Sequence, residues 1–247
     1  MKTILSVIFA VAMVPALAAP GANAPKVNGF GTPQYRWAMM EAEFAAALAT
    51  EGNPIVGKET YEICVGCHLP SGAGSADGRY PQLAGQHAPV LIKQMTDIRK
   101  GLRDNPVMYP YAAQLKYAQD LSDVAAYLAS LCIPVAHGRY EGSDAVMKVA
   151  SGRELYERQC ATCHGVNGEG DKTRFYPVIA GQHYNYLLRQ MTEIRDGLRK
   201  NANPDMVKLI KQYTNEQLLA ISAYQASLSM RGAMCTARGV VPPDSKQ

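Results

Sequence analysis

The sequence predicts an all-α protein: two tandem helical domains of similar size, preceded by an extra N-terminal helix. Three observations carry this reading. The chain repeats itself, because a block beginning near Gly57 returns near Gly152, and from Cys64 onward matched residues lie 96 positions apart. Each copy holds an apolar stripe at helical spacing, Leu91, Met95, Ile98 and Leu102 in the first and Leu187, Met191, Ile194 and Leu198 in the second. No stretch alternates apolar and polar residues as a half-buried strand does. A chain of 247 residues accommodates two domains near the commonest size.

In chain order, Met1-Lys2-Thr3 and the apolar run Ile4 to Leu17 end at Ala16-Leu17-Ala18, the pattern of a secretory signal peptide over residues 1–19. The run is short for a membrane span and Pro15 interrupts it; cleavage and retention as an anchor both stay open. Residues 20–54 form a leader and the extra helix, the latter over Tyr35 to Leu48 with Met39, Met40, Phe44 and Leu48 at helical spacing and the single tryptophan, Trp37. This helix is read as packed across the first domain, with docking to a partner as the alternative. The domains follow at 55–133 and 150–235, with a linker at 134–149 and a tail at 236–247.

Within each domain, a short helix (from Gly57 and from Gly152) leads into a cysteine motif. The first copy is one residue shorter between Tyr61 and Cys64 than the second between Tyr156 and Cys160. A Gly-rich loop comes next, then matching blocks: Tyr80-Pro81-Gln82-Leu83-Ala84-Gly85-Gln86-His87 with Tyr176-Pro177-Val178-Ile179-Ala180-Gly181-Gln182-His183, and Gln94-Met95-Thr96 with Gln190-Met191-Thr192. Lys93, Arg99 and Lys100 fall off the apolar stripe. Asn105-Pro106 and Asn203-Pro204 end or interrupt the striped helices. Closing helices are expected over Leu121–Leu131 and Asn215–Leu228, the second capped by Thr214 with Gln217 three residues on.

The cysteine motifs carry the chemistry. Cys64-Val65-Gly66-Cys67-His68 and Cys160-Ala161-Thr162-Cys163-His164 are both C-x-x-C-H, the pattern for covalent attachment of a c-type heme. Two thiols at this spacing reach the two vinyl groups of one porphyrin, and the following histidine supplies the proximal iron ligand. A thiol redox pair would want a βαβ context, and a zinc site does not require histidine after the second cysteine both times. A covalently held heme also adds apolar mass to a thin core. For the opposite face of each iron, Met108 and Met206 are the preferred ligands, because they follow the Asn-Pro breaks in segments read as loops and differ in offset by two residues, which loops tolerate. Met95 and Met191 are read as core filling, the matched pair His87 and His183 as surface or capping residues, His137 as structural or exposed, and Met147, Met230 and Met234 as packing. Bis-histidine ligation through His87 and His183 remains an alternative.

With C-x-x-C-H near the start, a proline after the loop, a later methionine and a closing helix, each half resembles a class I cytochrome c domain. The tandem form is similar to the cytochrome c4 family over about residues 57–131 and 150–230. It departs from that family in its longer N-terminal segment, in Cys132 and Cys235, and in Ile98 and Ile194 where an aromatic is expected. The resemblance implies two covalently bound heme c groups, axial methionines in the Met108 and Met206 segments, and Pro81 and Pro177 as carbonyl acceptors for the Nδ1–H of His68 and His164. Tyr80 and Tyr176 would stand at the heme edge. Arg103 and Arg199 would pair with heme propionates or else be solvated helix-end charges.

The implied function is a periplasmic diheme cytochrome carrying single electrons. Its donor would be of the cytochrome bc1 or dehydrogenase type, and its acceptor a terminal oxidase or reductase, with docking to a membrane complex left open. His–Met ligation leaves no open iron position, and no small-molecule substrate is expected. The alternatives are a diheme peroxidase or sulfur-compound dehydrogenase, or the heme subunit of a dehydrogenase complex. A net charge of +4 without a basic run gives no argument for nucleic acid, although mild basicity favours an acidic protein partner. The spare Cys132 and Cys235 each follow a closing helix. In an oxidising compartment, a two-fold-like pairing of the halves would let them bridge; free thiols are the other reading.

Overall fold

The computed structural model describes residues 42–230 and 232–235. The signal-peptide assignment and residues 35–41 of the extra helix, with Trp37, lie outside them. The first domain comprises α1 (Ala42–Ala49), α2 (Pro54–Thr60), α3 (Val65–His68), α4 (Ala88–Arg99), α5 (Tyr109–Ala112) and α6 (Ala118–Ser130). The second comprises α7 (Ala145–Leu155), α8 (Ala161–His164), α9 (Tyr184–Arg195), α10 (Pro204–Ile210) and α11 (Asn215–Gln225). Helix α1 buries Phe44 and Ala47 in the first domain's core, and Phe44 also reaches the second domain, its ring 5.6 Å from that of Phe175.

Helix α2 starts where Asn53 Oδ1 accepts from the backbone N–H of Ile55 at 2.9 Å, with Pro54 at the first helical position. It crosses α6 at Gly57, where a Cβ would lie 1.9 Å from the Asp123 carbonyl oxygen; Gly152 of α7 meets the Ala220 carbonyl of α11 at the same 1.9 Å. The repeat retains these glycines because only a missing side chain allows the two backbones to approach this closely.

The extra residue before the second cysteine motif is taken up by a change of helix type. Tyr61–Ile63 is a single 3₁₀ turn, whereas Tyr156–Cys160 is a π turn, which holds one more residue in the same arc. Both routes deliver a buried tyrosine to the same point: Tyr61 donates to the Leu69 carbonyl at 2.9 Å and Tyr156 to the Gly165 carbonyl at 2.7 Å.

Helices α4 and α9 bury Leu91 and Ile98, and Leu187, Met191 and Ile194, as their stripes predict. The stripe extends too far in sequence. Both helices stop before Gly101 and Gly197, whose φ angles of 70° and 74° turn the chain in the left-handed region, so Leu102 and Leu198 lie beyond the helices and Leu198 is exposed. Lys93, off the stripe, is nevertheless buried. Thr214 caps α11 with the reciprocal Gln217 contact expected of it. Met234 is buried and Met230 packs against the core, but Met147 is exposed rather than packed.

Two strands of two residues each, β1 (Ile133–Pro134) and β2 (Met234–Cys235), pair in parallel where the domains meet. They correct the strand-free expectation and are too short to show alternation. Beside them Cys132 and Cys235 form a disulfide, with Cα atoms 5.7 Å apart. Ile133 is buried over Gly85 and its repeat mate Gly181. The following linker lies against the second domain, where His137 Nε2 is 2.7 Å from the Ala226 carbonyl.

Candidate heme sites and the boundary between them

His68 closes α3, is buried, and places Nδ1 2.9 Å from the Pro81 carbonyl oxygen. A carbonyl only accepts, so Nδ1 carries the proton and Nε2 keeps its lone pair. His164 closes α8 and faces Pro177 O in the same way, at 3.4 Å. Neither Nε2 has a hydrogen-bond partner among the described residues. Burial pushes both imidazoles below their ordinary pKa, against the opposing pull of the proline carbonyl, which favours the neutral ring that a metal needs. Tyr80 and Tyr176 flank the two rings, with centroids 6.3 and 6.2 Å away.

Cys64, Cys67, Cys160 and Cys163 are free thiols on the turns just before these histidines. Burial lifts the Cys64 and Cys160 thiols to about 11. A structural zinc site needs four ligands, and among the described residues no group of three or more His, Cys, Asp or Glu is gathered to hold an ion. Paired thiols beside a histidine with a free Nε2 fit a c-type heme at each position.

Met108 caps α5 and donates its N–H to Asn105 Oδ1 at 3.1 Å. Met206 lies inside α10, not in a loop, and packs on the core that holds Met191 and Ile194. The two extra residues of the second copy fall between Arg199 and Asn203, ahead of the helix. Met95 and Met191 sit in their domain cores, as expected of filling residues.

The matched polar residues meet across the domain boundary. Gln86 accepts from the N–H of Val178 and donates to its carbonyl, both at 2.9 Å. Its repeat mate Gln182 does the same to Gln82, at 3.0 and 2.9 Å. Each glutamine thus clamps one residue of the opposite domain by its backbone alone, which explains why that residue is Gln82 in one copy and Val178 in the other. His87 and His183 stand at the N-cap positions of α4 and α9, as the capping reading expected, but their side chains do not cap: His87, half-buried, places Nε2 2.8 Å from the Glu169 carbonyl, and His183, buried, places Nε2 2.8 Å from that of Ala73, each across the boundary. Both His183 nitrogens are engaged, Nδ1 accepting from the Gly138 N–H at 3.0 Å, and His87 keeps its Nε2 on the Glu169 carbonyl, which turns both rings toward the boundary contacts rather than toward bis-histidine ligation.

Arg103 and Arg199 are likewise not solvated helix-end charges. Arg103 bonds Gln94, Gln190 and the Tyr186 hydroxyl, and Arg199 bonds Gln190 and Gln94, all at 2.9–3.0 Å. Burial and the neighbouring Arg103 pull Arg199 down to about 10, still cationic at neutral pH. The two-residue insertion breaks the symmetry here. It supplies the buried Asn201, which donates to Asp97 Oδ2 at 2.8 Å, and Asp97 in turn holds Lys93, explaining that lysine's burial. None of these boundary roles was assigned from sequence; the signal was the exact return of Gln-His and Gln-Met in both copies.

The cytochrome c family profile matches residues 56–132 and 149–229. Cytochrome c4 of Azotobacter vinelandii is 32% identical over 185 residues, covering 70% of this chain and 88% of that protein. The thiosulfate dehydrogenase electron acceptor of Stutzerimonas stutzeri (strain A1501) is 34% identical over 174 residues, covering 68% and 80%. The crystal structure of reduced recombinant cytochrome c4 from Pseudomonas stutzeri superposes with a TM-score of 0.63 at 27% identity, over 72% of this chain and 100% of that one. The two C-x-x-C-H turns, the repeated helical frame and these matches place the chain in the cytochrome c family, as a tandem, cytochrome c4-like electron-transfer protein with two covalently bound heme c groups.

Proposed function

We propose that this chain is exported through residues 1–19 and works in the periplasm as a carrier of single electrons, with one heme in each of its two helical domains. Cys64 and Cys67 would hold the first heme and Cys160 and Cys163 the second. His68 with Met108, and His164 with Met206, would ligate the irons, and Pro81 and Pro177 would fix the imidazoles. The heme supplies the one-electron couple; the chain buries it, orients its ligands and excludes a substrate from the iron. The observation that carries this reading is the repeated arrangement of the two sites, each a histidine held at Nδ1 by a proline carbonyl with Nε2 free. A diheme enzyme needs one site with an open or exchangeable position, and its two halves would differ there. The donor would be a bc1-type complex or a dehydrogenase, and the acceptor a terminal oxidase or reductase.

The test is the mass and spectrum of the exported protein. The expected results are two heme additions after loss of the signal peptide, a methionine–iron charge-transfer band when oxidised, and no carbon monoxide binding when reduced. One heme, or a carbon monoxide complex at either iron, contradicts the carrier reading. The likeness to the thiosulfate dehydrogenase electron acceptor favours one second reading, an electron-accepting subunit for a sulfur-compound dehydrogenase. Thiosulfate with a catalytic thiosulfate dehydrogenase would then reduce both hemes, while a respiratory donor would not.

A further inference from the structure

The carbonyl that fixes each proximal histidine belongs to the same peptide group whose N–H is bound by the opposite domain. Pro81 C=O and Gln82 N–H form one planar, conjugated unit. Its oxygen lies 2.9 Å from His68 Nδ1, and its N–H donates to Gln182 Oε1 of the second domain at 3.0 Å. The unit Pro177–Val178 repeats this, with the oxygen 3.4 Å from His164 Nδ1 and the N–H 2.9 Å from Gln86 Oε1 of the first domain. The second contact of each glutamine, to the carbonyl of the clamped residue, fixes which end of its amide faces the N–H. Gln82, Gln86, Val178 and Gln182 are all buried, so no water competes for these groups.

We infer that Gln182 and Gln86 are positioning residues that tune the proximal ligands in trans: each domain sets the electron density on the other domain's histidine through one shared peptide group. A peptide that donates at nitrogen is a better acceptor at oxygen, because hydrogen bonds in a chain polarise one another. A stronger acceptor draws the Nδ1 proton and makes the imidazole a more basic ligand. A more basic ligand stabilises ferric over ferrous iron and lowers the heme potential. Docking of the domains is therefore part of each redox site. The inference rests on His68 and His164 being the proximal ligands.

The test uses the full-length diheme protein. Gln182→Met and Gln86→Met keep side-chain volume and remove the acceptor. Potentials are read heme by heme, from hyperfine-shifted heme methyl signals in an NMR redox titration. The expected pattern is crossed. Gln182→Met raises the potential of the first-domain heme, changing its reduced-to-oxidised ratio at fixed ambient potential by about 1.5- to 4-fold, and leaves the second unchanged. Gln86→Met does the reverse. Equal shifts at both hemes, a shift confined to the variant's own domain, or no shift would overturn the inference. Gln182→Glu keeps an oxygen opposite Gln82 N–H and covers the case in which the methionine variants do not fold. The first heme's potential should then stay at or below wild type, and a rise overturns the inference. Absence of histidine coordination in the wild-type spectrum would instead remove the ligand assignment beneath it, and the inference with it.

Discussion

His68 and His164 share a frame, but their hydrogen bonds to Pro81 and Pro177 differ, at 2.9 and 3.4 Å. The shorter bond makes the more basic ligand, so the first-domain heme should have the lower potential and reduction should begin in the second domain; a redox titration that resolves the two hemes checks the order. The sixth ligands give a second prediction at this scale. Met108→His and Met206→His should each retain two covalent hemes and lower the potential of one, by a share of the roughly 0.8 V that axial ligands span. Loss of methionine ligation in NMR on Met95→Leu or Met191→Leu would move the assignment to the helix stripes. The cysteines and histidines were legible because covalent attachment demands a fixed local spacing. Lys93 and Asn201 were not, because the insertion that brings Asn201 to Asp97 acts between segments distant in sequence.

At the scale of elements, the repeat conserves contacts more strictly than helix type. A 3₁₀ turn and a π turn bring Tyr61 and Tyr156 to equivalent carbonyls, so the one-residue difference visible in sequence leaves the attachment turns unchanged. The helix stops at Gly101 and Gly197 were present in the sequence, but the apolar spacing of Leu102 and Leu198 masked them. The role of Gly57 and Gly152 needed the crossing helices to be seen. Gly→Ala inside a helix ordinarily stabilises by roughly 1 kcal/mol. Here a Cβ 1.9 Å from a carbonyl forces α2 off α6 or α7 off α11. Gly57→Ala and Gly152→Ala should therefore each destabilise by about 1–3 kcal/mol or more, measured by denaturant unfolding of the holoprotein.

At the scale of the molecule, two ties between the domains stand out beside the Phe44–Phe175 contact. One is the polar lattice of matched glutamines, histidines and arginines, which repeats under the same two-fold-like relation as the domains. The other is the Cys132–Cys235 bridge with the β1–β2 pair, which joins the ends of the two domains. The sequence pointed to the bridge through two spare cysteines after closing helices but left free thiols open; the approach of the helix ends depends on docking, which no local pattern encodes. The bridge spans 103 residues, a loop worth about 4–5 kcal/mol in the chain-entropy model, less whatever compactness the attached hemes leave in the unfolded chain. Because the lattice makes the native contacts independently, Cys132→Ser with Cys235→Ser should keep the domains docked and the heme spectra unchanged while lowering thermal stability by several degrees. Serine variants are the right probe, since a reductant strong enough to open the bridge would also reduce both hemes. Calorimetry of the oxidised proteins decides it: an unchanged midpoint would mean that the lattice alone sets the stability, and a split transition would mean that the bridge is what makes two domains unfold as one.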